Sequence, residues 1–427
     1  MKILNAIQLS VSKIVKKQRF VKNIFAAIHE HGGKVLLVGG AVRDLLLEKT
    51  SQDLDFEVYG IPLEKLQEIL ELHGPVSFVG KSFGVLRLHG LDVDWSLPRK
   101  DSSGRHPVVA YDPYMSYEQA FIRRDLTINA MGIDMQTYEL IDLYGGLHDL
   151  QHKILRAPDL EFFVQDPLRL LRVMQFVGRF EMLVAQDLSD ACKQVDVSKV
   201  SQERIEQEFS KLFLQAAHPS LGLQWLVAID RFHHFFPGIK LTEELTAMID
   251  QAAQQQHNCD QKKLACIWAV IAGSLPLYTQ RSEIHLVQAT YADKQPVMQF
   301  MKKLTGHQKL VSMIADLVWY APMLSTDLTD AQLKWLAVWL SPDTSLRLLV
   351  QYARLQQGDT DNIALVKNRI EHLGILDRPV QPLLTGKDLL DIAQGPALGK
   401  LVKKAYQLQI DQGIVDRFVL KNLVHTT

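Results

Sequence analysis

Residues 34–60 read KVLLVGGAVRDLLLEKTSQDLDFEVYG, and this stretch decides the fold. An apolar run of strand length ends in Gly39-Gly40, a helix follows with Arg43 in its first turn, and a second strand carries Asp53-Leu54-Asp55. Strand side chains two apart point to one face, so Asp53 and Asp55 converge. Two carboxylates held that close repel unless a cation lies between them. Oxygen-only donors favour magnesium over zinc. The glycine pair would bring backbone N–H groups and a helix N-terminus towards phosphates. A solvated strand edge is the plain alternative for the Asp pair, and the adjoining glycines and Arg43 weigh against it.

The chain of 427 residues exceeds the usual size of one domain, so several domains or a head with a long extension are expected. With 47% hydrophobic and 22% charged residues and a formal net charge of -1, it reads as an ordinary globular protein. That balance neither announces nor excludes a polyanionic partner, because a nucleic-acid binder needs only a local basic face. Cys192, Cys259 and Cys266 are odd in number and lack CxxC spacing, which argues against a disulfide framework and a zinc site and fits a reducing cytoplasm. The longest apolar run, 264–277, contains Gly273, Ser274 and Pro276 and is too short to span a bilayer. The first 29 residues hold Lys2, Lys13, Lys16, Lys17, Arg19 and Lys22 and no acidic side chain. A basic amphipathic helix before the first strand explains this better than a targeting peptide.

Residues 35 to about 145 read as mixed α/β, with strand-like runs at 34–38, 54–59, 83–88 and 93–97 and helical periodicity at 41–48 and 63–72. His89-Gly90 predicts a hairpin, which sets Asp94 on a neighbouring strand as a possible third carboxylate. The Ser-, Gly- and Pro-rich stretch 98–117 has loop composition. Helix is predicted from 118 to about 133, carrying Arg123, Arg124, Asp125 and Asn129, before a short strand ending at Asp142 and a turn at Gly145-Gly146. From Asp166 onward the patterns are helical, with joints near Pro219, Pro237, 251–260, 322–329 and 379–385.

The second informative stretch is QDPLRLLRVMQFVGRF, residues 165–180, where Asp166 suits an N-cap and Pro167 a first helical position. Arg169, Arg172, Gln175 and Arg179 share an arc of about 120° and apolar residues fill the rest, so the helix should be mostly buried with one cationic stripe lining a cleft. An ordinary polar helix face is the alternative. An Asp acceptor beside an Arg donor also suits cytosine and adenine, which offer an exocyclic amine next to a ring-nitrogen acceptor. Uracil and guanine would leave polar groups unpaired, at roughly 1–3 kcal/mol each.

LVGGAVRD, DLDFEVYG, RKDSSGRHP, RRDLTINAMGID, DLYGGLHDLQHKILR, QDPLRLLR and SQERIEQE occur in this order over about residues 35–215. With these motifs the chain resembles the class II tRNA nucleotidyltransferases, or CCA-adding enzymes, and the related bacterial poly(A) polymerases. The resemblance implies an α+β fold: a polymerase-β-like head with a mixed sheet (1–150), then an all-α neck (151–215), body (216–325) and tail (326–427). It implies that Asp53 and Asp55 hold two magnesium ions, with Asp94 as a third catalytic carboxylate. Gly39, Gly40 and Arg43 would lie near the nucleotide phosphates, and Arg99 would be the arginine of the flexible loop. Arg124, Asp125 and Asn129 match the ribose-handling motif. Asp166 and Arg169 match the base template, Arg172 its neighbour on the nucleotide, and Glu203-Arg204 a motif bracing that helix. One departure is Gln165, where the family usually has Glu.

The implied activity is addition of C, C and A to the tRNA 3' end from CTP and ATP, in the cytoplasm, with the tail on the acceptor arm. Poly(A) polymerases of the family carry an arginine-rich segment where this chain has VGKSFGVLRLHG, and a basic extension not seen before Thr427, so CCA addition is preferred. CC-only or A-only addition is the next alternative, and Arg99 with Gly104-Arg105 argues against a CC-only enzyme. A catalytically inactive tRNA-binding protein is the alternative from another class. His148-Asp149 falls inside the connector motif and is expected to be structural rather than part of a phosphohydrolase site. The cations Lys400, Lys403, Lys404, Arg417 and Lys421 outweigh Asp411 and Asp416, which suits RNA contact or a plain solvated face.

Overall fold

The computed structural model describes residues 19–49, 54–79, 84–91, 93–101, 109–279, 288–358 and 361–426. They divide into two compact units, 1–200 and 201–427.

In the first unit, helix α1 (Arg19–Glu30) buries Val21, Ile24 and Ile28, the i, i+3, i+7 set of an amphipathic helix, while Lys2, Lys13, Lys16 and Lys17 of the basic segment lie outside the described residues. Next come β1 (Lys34–Val38), α2 (Gly40–Leu46), β2 (Leu54–Tyr59) and α3 (Leu63–Glu71). The strands β3 (Val76–Val79), β4 (Val85–Leu88) and β5 (Val93–Ser96) complete one edge, and β8 (Met131–Asp134) and β9 (Leu140–Asp142) the other. The resulting mixed sheet of seven strands has the order β3-β4-β5-β2-β1-β8-β9. Within this sheet β2 and β5 pair in parallel, with Asp55 opposite Asp94 and Phe56 opposite Trp95, and the other pairings among the described residues are antiparallel. The hairpin at His89-Gly90 forms as predicted, with Gly90 in the left-handed region at φ 87°. The edge strand β3 escapes notice in the sequence because VSFV is short.

Two expectations change. The stretch 98–117 is not all loop, because β6 (Arg99–Asp101) pairs with β7 (Val109–Tyr111) in an antiparallel ribbon. Three-residue strands are too brief for an alternation to register. The predicted helix over 118–133 also breaks up. Helix α4 (Tyr117–Phe121), held by a capping box between Ser116 and Gln119, ends early, and only a 3-10 turn at Thr127–Asn129 follows before β8. The Asp125 carboxylate accepts from the Leu126 amide at 2.9 Å and from Asn129 Nδ2 at 3.0 Å, and Leu126 is extended. Such local side-chain bonds offer the backbone an alternative to helix.

Beyond β9 the first unit continues through α5 (Gly146–Gln151), β10 (Ile154–Leu155), α6 (Leu160–Val164), α7 (Leu168–Phe180), β11 (Leu183–Val184) and α8 (Gln186–Gln194). Helix α7 starts at Leu168 with Pro167 as N-cap, one residue later than predicted, and the Asp166 carboxylate accepts from the Leu168 amide at 3.1 Å. Its core side is Leu170, Leu171, Val173, Met174 and Phe176.

The second unit is all helical in its described residues, from Gln202–Gln215 to Arg417–Thr426. Its core gathers around the helix Asp260–Gly273, buried continuously from Ala265 to Ala272, with Tyr352 donating to the Ala269 carbonyl at 2.9 Å. Burial pushes the Cys266 thiol up to about 12, so it is an inert core group. The breaks expected at 322–329 and 379–385 separate helices as predicted. No helix among the described residues is long and apolar enough to cross a membrane.

Candidate nucleotidyl-transfer site

The odd-numbered residues of β2 share one sheet face. Asp55 is exposed, Glu57 half-buried and Tyr59 buried. Asp53 lies outside the described residues. Paired strands run about 4.8 Å apart, so Asp55 and Asp94, opposite each other, present two carboxylates side by side on that face. Asp94 is flanked on its other side by Arg87, whose Nε donates to it at 2.7 Å. Asp55 and Asp94 offer oxygen donors alone, and among the described residues no group of three or more His, Cys, Asp or Glu side chains gathers around a metal position.

Glycines shape the turn after β1. Gly39 has φ 71°, and its amide donates to the Met131 carbonyl at 3.3 Å, so this N–H is engaged inside the fold rather than offered outward. A Cβ on Gly39 would stand 3.0 Å from Arg124 Nη1, and one on Gly40 would stand 3.4 Å from Arg43 Nη2. The pair therefore makes room for two guanidinium groups.

Arg43 is only 5% exposed. It donates to Asn129 Oδ1 at 2.6 Å and to Asp44 at 2.7 and 2.9 Å, and its Cζ lies 4.8 Å from the centre of the Phe180 ring and 5.1 Å from that of Phe176. Phe176 and Phe180 stack on each other along α7, with centroids 5.4 Å apart. Arg43 thus ties the first turn of α2 to α7. Asn129 passes the connection on to Asp125, and Asp125 accepts from Arg172 Nε at 2.6 Å. Burial would raise the Asp125 pKa, but the charge and hydrogen bond of Arg172, the Asn129 amide and the charge of Arg169 outweigh it and bring it down to about 2.

The cationic stripe of α7 is a seam rather than an open cleft wall. Arg169 donates to the carbonyls of Phe162 at 2.8 Å and Arg123 at 2.6 Å, and Arg179 donates to Gln175, itself 1% exposed. Asp166 and Arg169 stand together at the start of α7, Arg99 lies on the β6–β7 ribbon, and Glu203 and Arg204 are exposed on the first helix of the second unit. Asp149 is buried, accepting from Thr127 Oγ1 at 2.8 Å and Arg156 Nε at 3.1 Å, so His148-Asp149 is a structural dipeptide. In the second unit Arg417 pairs with Asp388, and Lys421 with Asp391 at 2.9 Å, which reduces the basic excess read near the C-terminus.

Sequence reasoning missed Glu57, Phe176 and Phe180. Glu57 could have been found from its two-residue spacing to Asp55, which puts it on the same face.

Residues 35–156 match the family model for the poly A polymerase head domain. The chain is 37% identical over 204 residues to a multifunctional CCA protein of Stenotrophomonas maltophilia, covering 45% of this chain and 48% of that protein. It is 34% identical over 166 residues to an A-adding tRNA nucleotidyltransferase of Aquifex aeolicus, covering 38% of this chain and 20% of that protein. The chain thus spans about half the length, or less, of these curated relatives. In fold it resembles the CCA-adding enzyme of Bacillus stearothermophilus solved with CTP, with a TM-score of 0.69 at 19% identity over 96% of this chain and 98% of that one.

Proposed function

We propose, from the premise that residues 35–156 form a poly A polymerase head domain, that this chain is a tRNA nucleotidyltransferase that adds CCA to the tRNA 3' end from CTP and ATP. The observation that carries the reading is the cross-strand pair Asp55–Asp94 on the sheet face that also holds Glu57 and its partner Arg124. A magnesium pair, when bound, would activate the 3'-hydroxyl and neutralise the departing pyrophosphate. Asp53, Asp55 and Asp94 would hold it.

The chain's own residues do the rest by positioning and charge. Arg124, with Asp125 and Asn129, borders the ribose and phosphates beside Gly39 and Gly40, and Arg43 fixes Asn129 from behind. Asp166 and Arg169 are the pair for the base edge: Arg169 Nη1 and Nη2 each spend one N–H on the carbonyls of Phe162 and Arg123 and each carries a second, and Arg172 stands one turn further along the same helix. The base-reading helix stays in register with the head because Arg172 is bonded to Asp125. The neck, body and tail (151–215, 216–325 and 326–427) would hold the acceptor arm by shape and phosphate contact, since A-form RNA exposes little sequence to protein.

The test incubates the protein and magnesium with CTP, ATP, or both, and tRNA ending before CCA, after CC, or complete. Completion of CCA on the shortest tRNA is expected. Addition of A alone to tRNA ending in CC favours the second reading, A-only addition, which the Aquifex aeolicus relative's name supports. Addition of A to every RNA indicates poly(A) synthesis, and no incorporation indicates a binding protein.

A further inference from the structure

Glu57 is a carboxylate with no role in the transfer chemistry just described. It sits two residues along β2 from Asp55 on the same face, about 7 Å away. An extra negative charge there would repel a triphosphate or compete for its cations unless it were neutralised. Among the described residues, two groups bind it. Arg124 Nη2 donates to Glu57 Oε2 at 3.1 Å, and the hydroxyl of buried Tyr59 donates to Glu57 Oε1. The other end of the same guanidinium, Nη1, lies against Gly39, at the position a Cβ would crowd. The Arg124 Cζ is 5.5 Å from the centre of the Phe121 ring.

Arg124 is thereby held at three points: a carboxylate at one edge, an aromatic ring near its carbon, and a glycine turn that leaves room at the other edge. A long side chain left to itself would lose much rotamer freedom on meeting a ligand, and a guanidinium already fixed loses less. Tyr59 is anchored in turn, packed edge-on to Tyr117 at 4.8 Å within the cluster of Leu36, Val38, Phe121 and Ala130. The orientation of Arg124 is thus referred back to the core of the sheet. We infer that Glu57, braced by Tyr59, is a positioning residue that sets the affinity of this site for the nucleoside triphosphate by presenting Arg124 preorganised. This rests on the nucleotidyltransferase reading above.

The test compares the full chain with Glu57→Gln, Glu57→Asp, Arg124→Gln and the double variant Glu57→Gln/Arg124→Gln. It measures equilibrium binding of CTP and, with tRNA lacking CCA, kcat and KM for CTP. Glu57→Gln is expected to raise both the Kd and the KM for CTP about tenfold, the worth of one charged hydrogen bond, while kcat changes less than about threefold. Glu57→Asp, which keeps the charge, should fall nearer the wild type. In the Arg124→Gln background the same substitution should add less than about twofold, because a residue acting through another has nothing left to act on.

A Glu57→Gln variant that binds CTP as the wild type does, or effects that multiply in the double variant, would overturn the inference. So would a change confined to melting temperature. A wild-type protein that neither binds CTP nor extends tRNA would instead remove the nucleotidyltransferase reading itself.

Discussion

Asp125 and Arg172 lie 47 residues apart in the chain and 2.6 Å apart in the fold, joining the segment after α4 to the helix α7. The Asp125 carboxyl is buried and titrates at about 2, below its ordinary 3.8. A depressed carboxyl pKa means that the unfolded chain binds the proton more tightly, so the stabilisation is complete above about pH 5 and disappears as pH falls towards 2. It amounts to roughly 2 kcal/mol. Asp125→Asn should flatten the acid limb of stability against pH, as read by urea denaturation between pH 7 and pH 3. Arg172→Ala, which strands a buried charge, should cost about 3–5 kcal/mol at pH 7. Unchanged acid limbs in Asp125→Asn would contradict the assignment.

The adjacent glycines 145 and 146 make opposite demands. A Cβ on Gly146 would come within 2.2 Å of the Thr127 carbonyl oxygen, whereas Gly145, at φ 74°, has nothing within 4 Å. Gly145→Ala is therefore a matter of backbone strain, about 1–2 kcal/mol. Gly146→Ala must displace the turn that carries Asn129 and should cost about 3 kcal/mol or more. Melting temperatures of the two variants should rank in that order, and equal losses would show that the turn yields.

Asp55 is exposed, so Asp55→Asn should leave the melting temperature within a degree or two. Incorporation of nucleotides should fall by about a thousandfold or more. Magnesium should raise the melting temperature of the wild type but not of the variant, because ligand binding to the folded state alone shifts unfolding. Full activity in Asp55→Asn would remove the metal assignment.

Gln165 is exposed at the end of α6 and directly precedes Asp166. Gln165→Glu should change stability by less than about 0.5 kcal/mol. It should leave discrimination of CTP over UTP unchanged, because the hydrogen-bonding pair assigned to the base is Asp166 with Arg169. A large gain in discrimination would bring the side chain at 165 into the reading of the base.

The strand, glycine turn, helix and strand of residues 34–60 were legible because each depends on neighbours. A period of two defines a strand, a glycine pair ends it, and the register of β2 with β5 sets Asp55 beside Asp94. The hairpin carrying Asp94 was legible for the same reason. The helix expected over 118–133 was not interrupted by any proline or glycine before Gly132, and what departs from it are the bonds that the Asp125 carboxylate accepts from Leu126 and Asn129 and the bond from the Thr127 amide to the distant Arg156 carbonyl.

The sequence by itself determined the mixed head, the helical remainder and the spacing of the acidic residues. The tertiary structure decided what each arginine touches. Arg43 meets Asn129 across 86 residues, Arg124 meets Glu57 across 67, and Arg169 is taken up by two main-chain carbonyls. Periodicity says which face of an element a side chain occupies. Its partner is chosen by how distant segments pack and by which buried charges must then be neutralised.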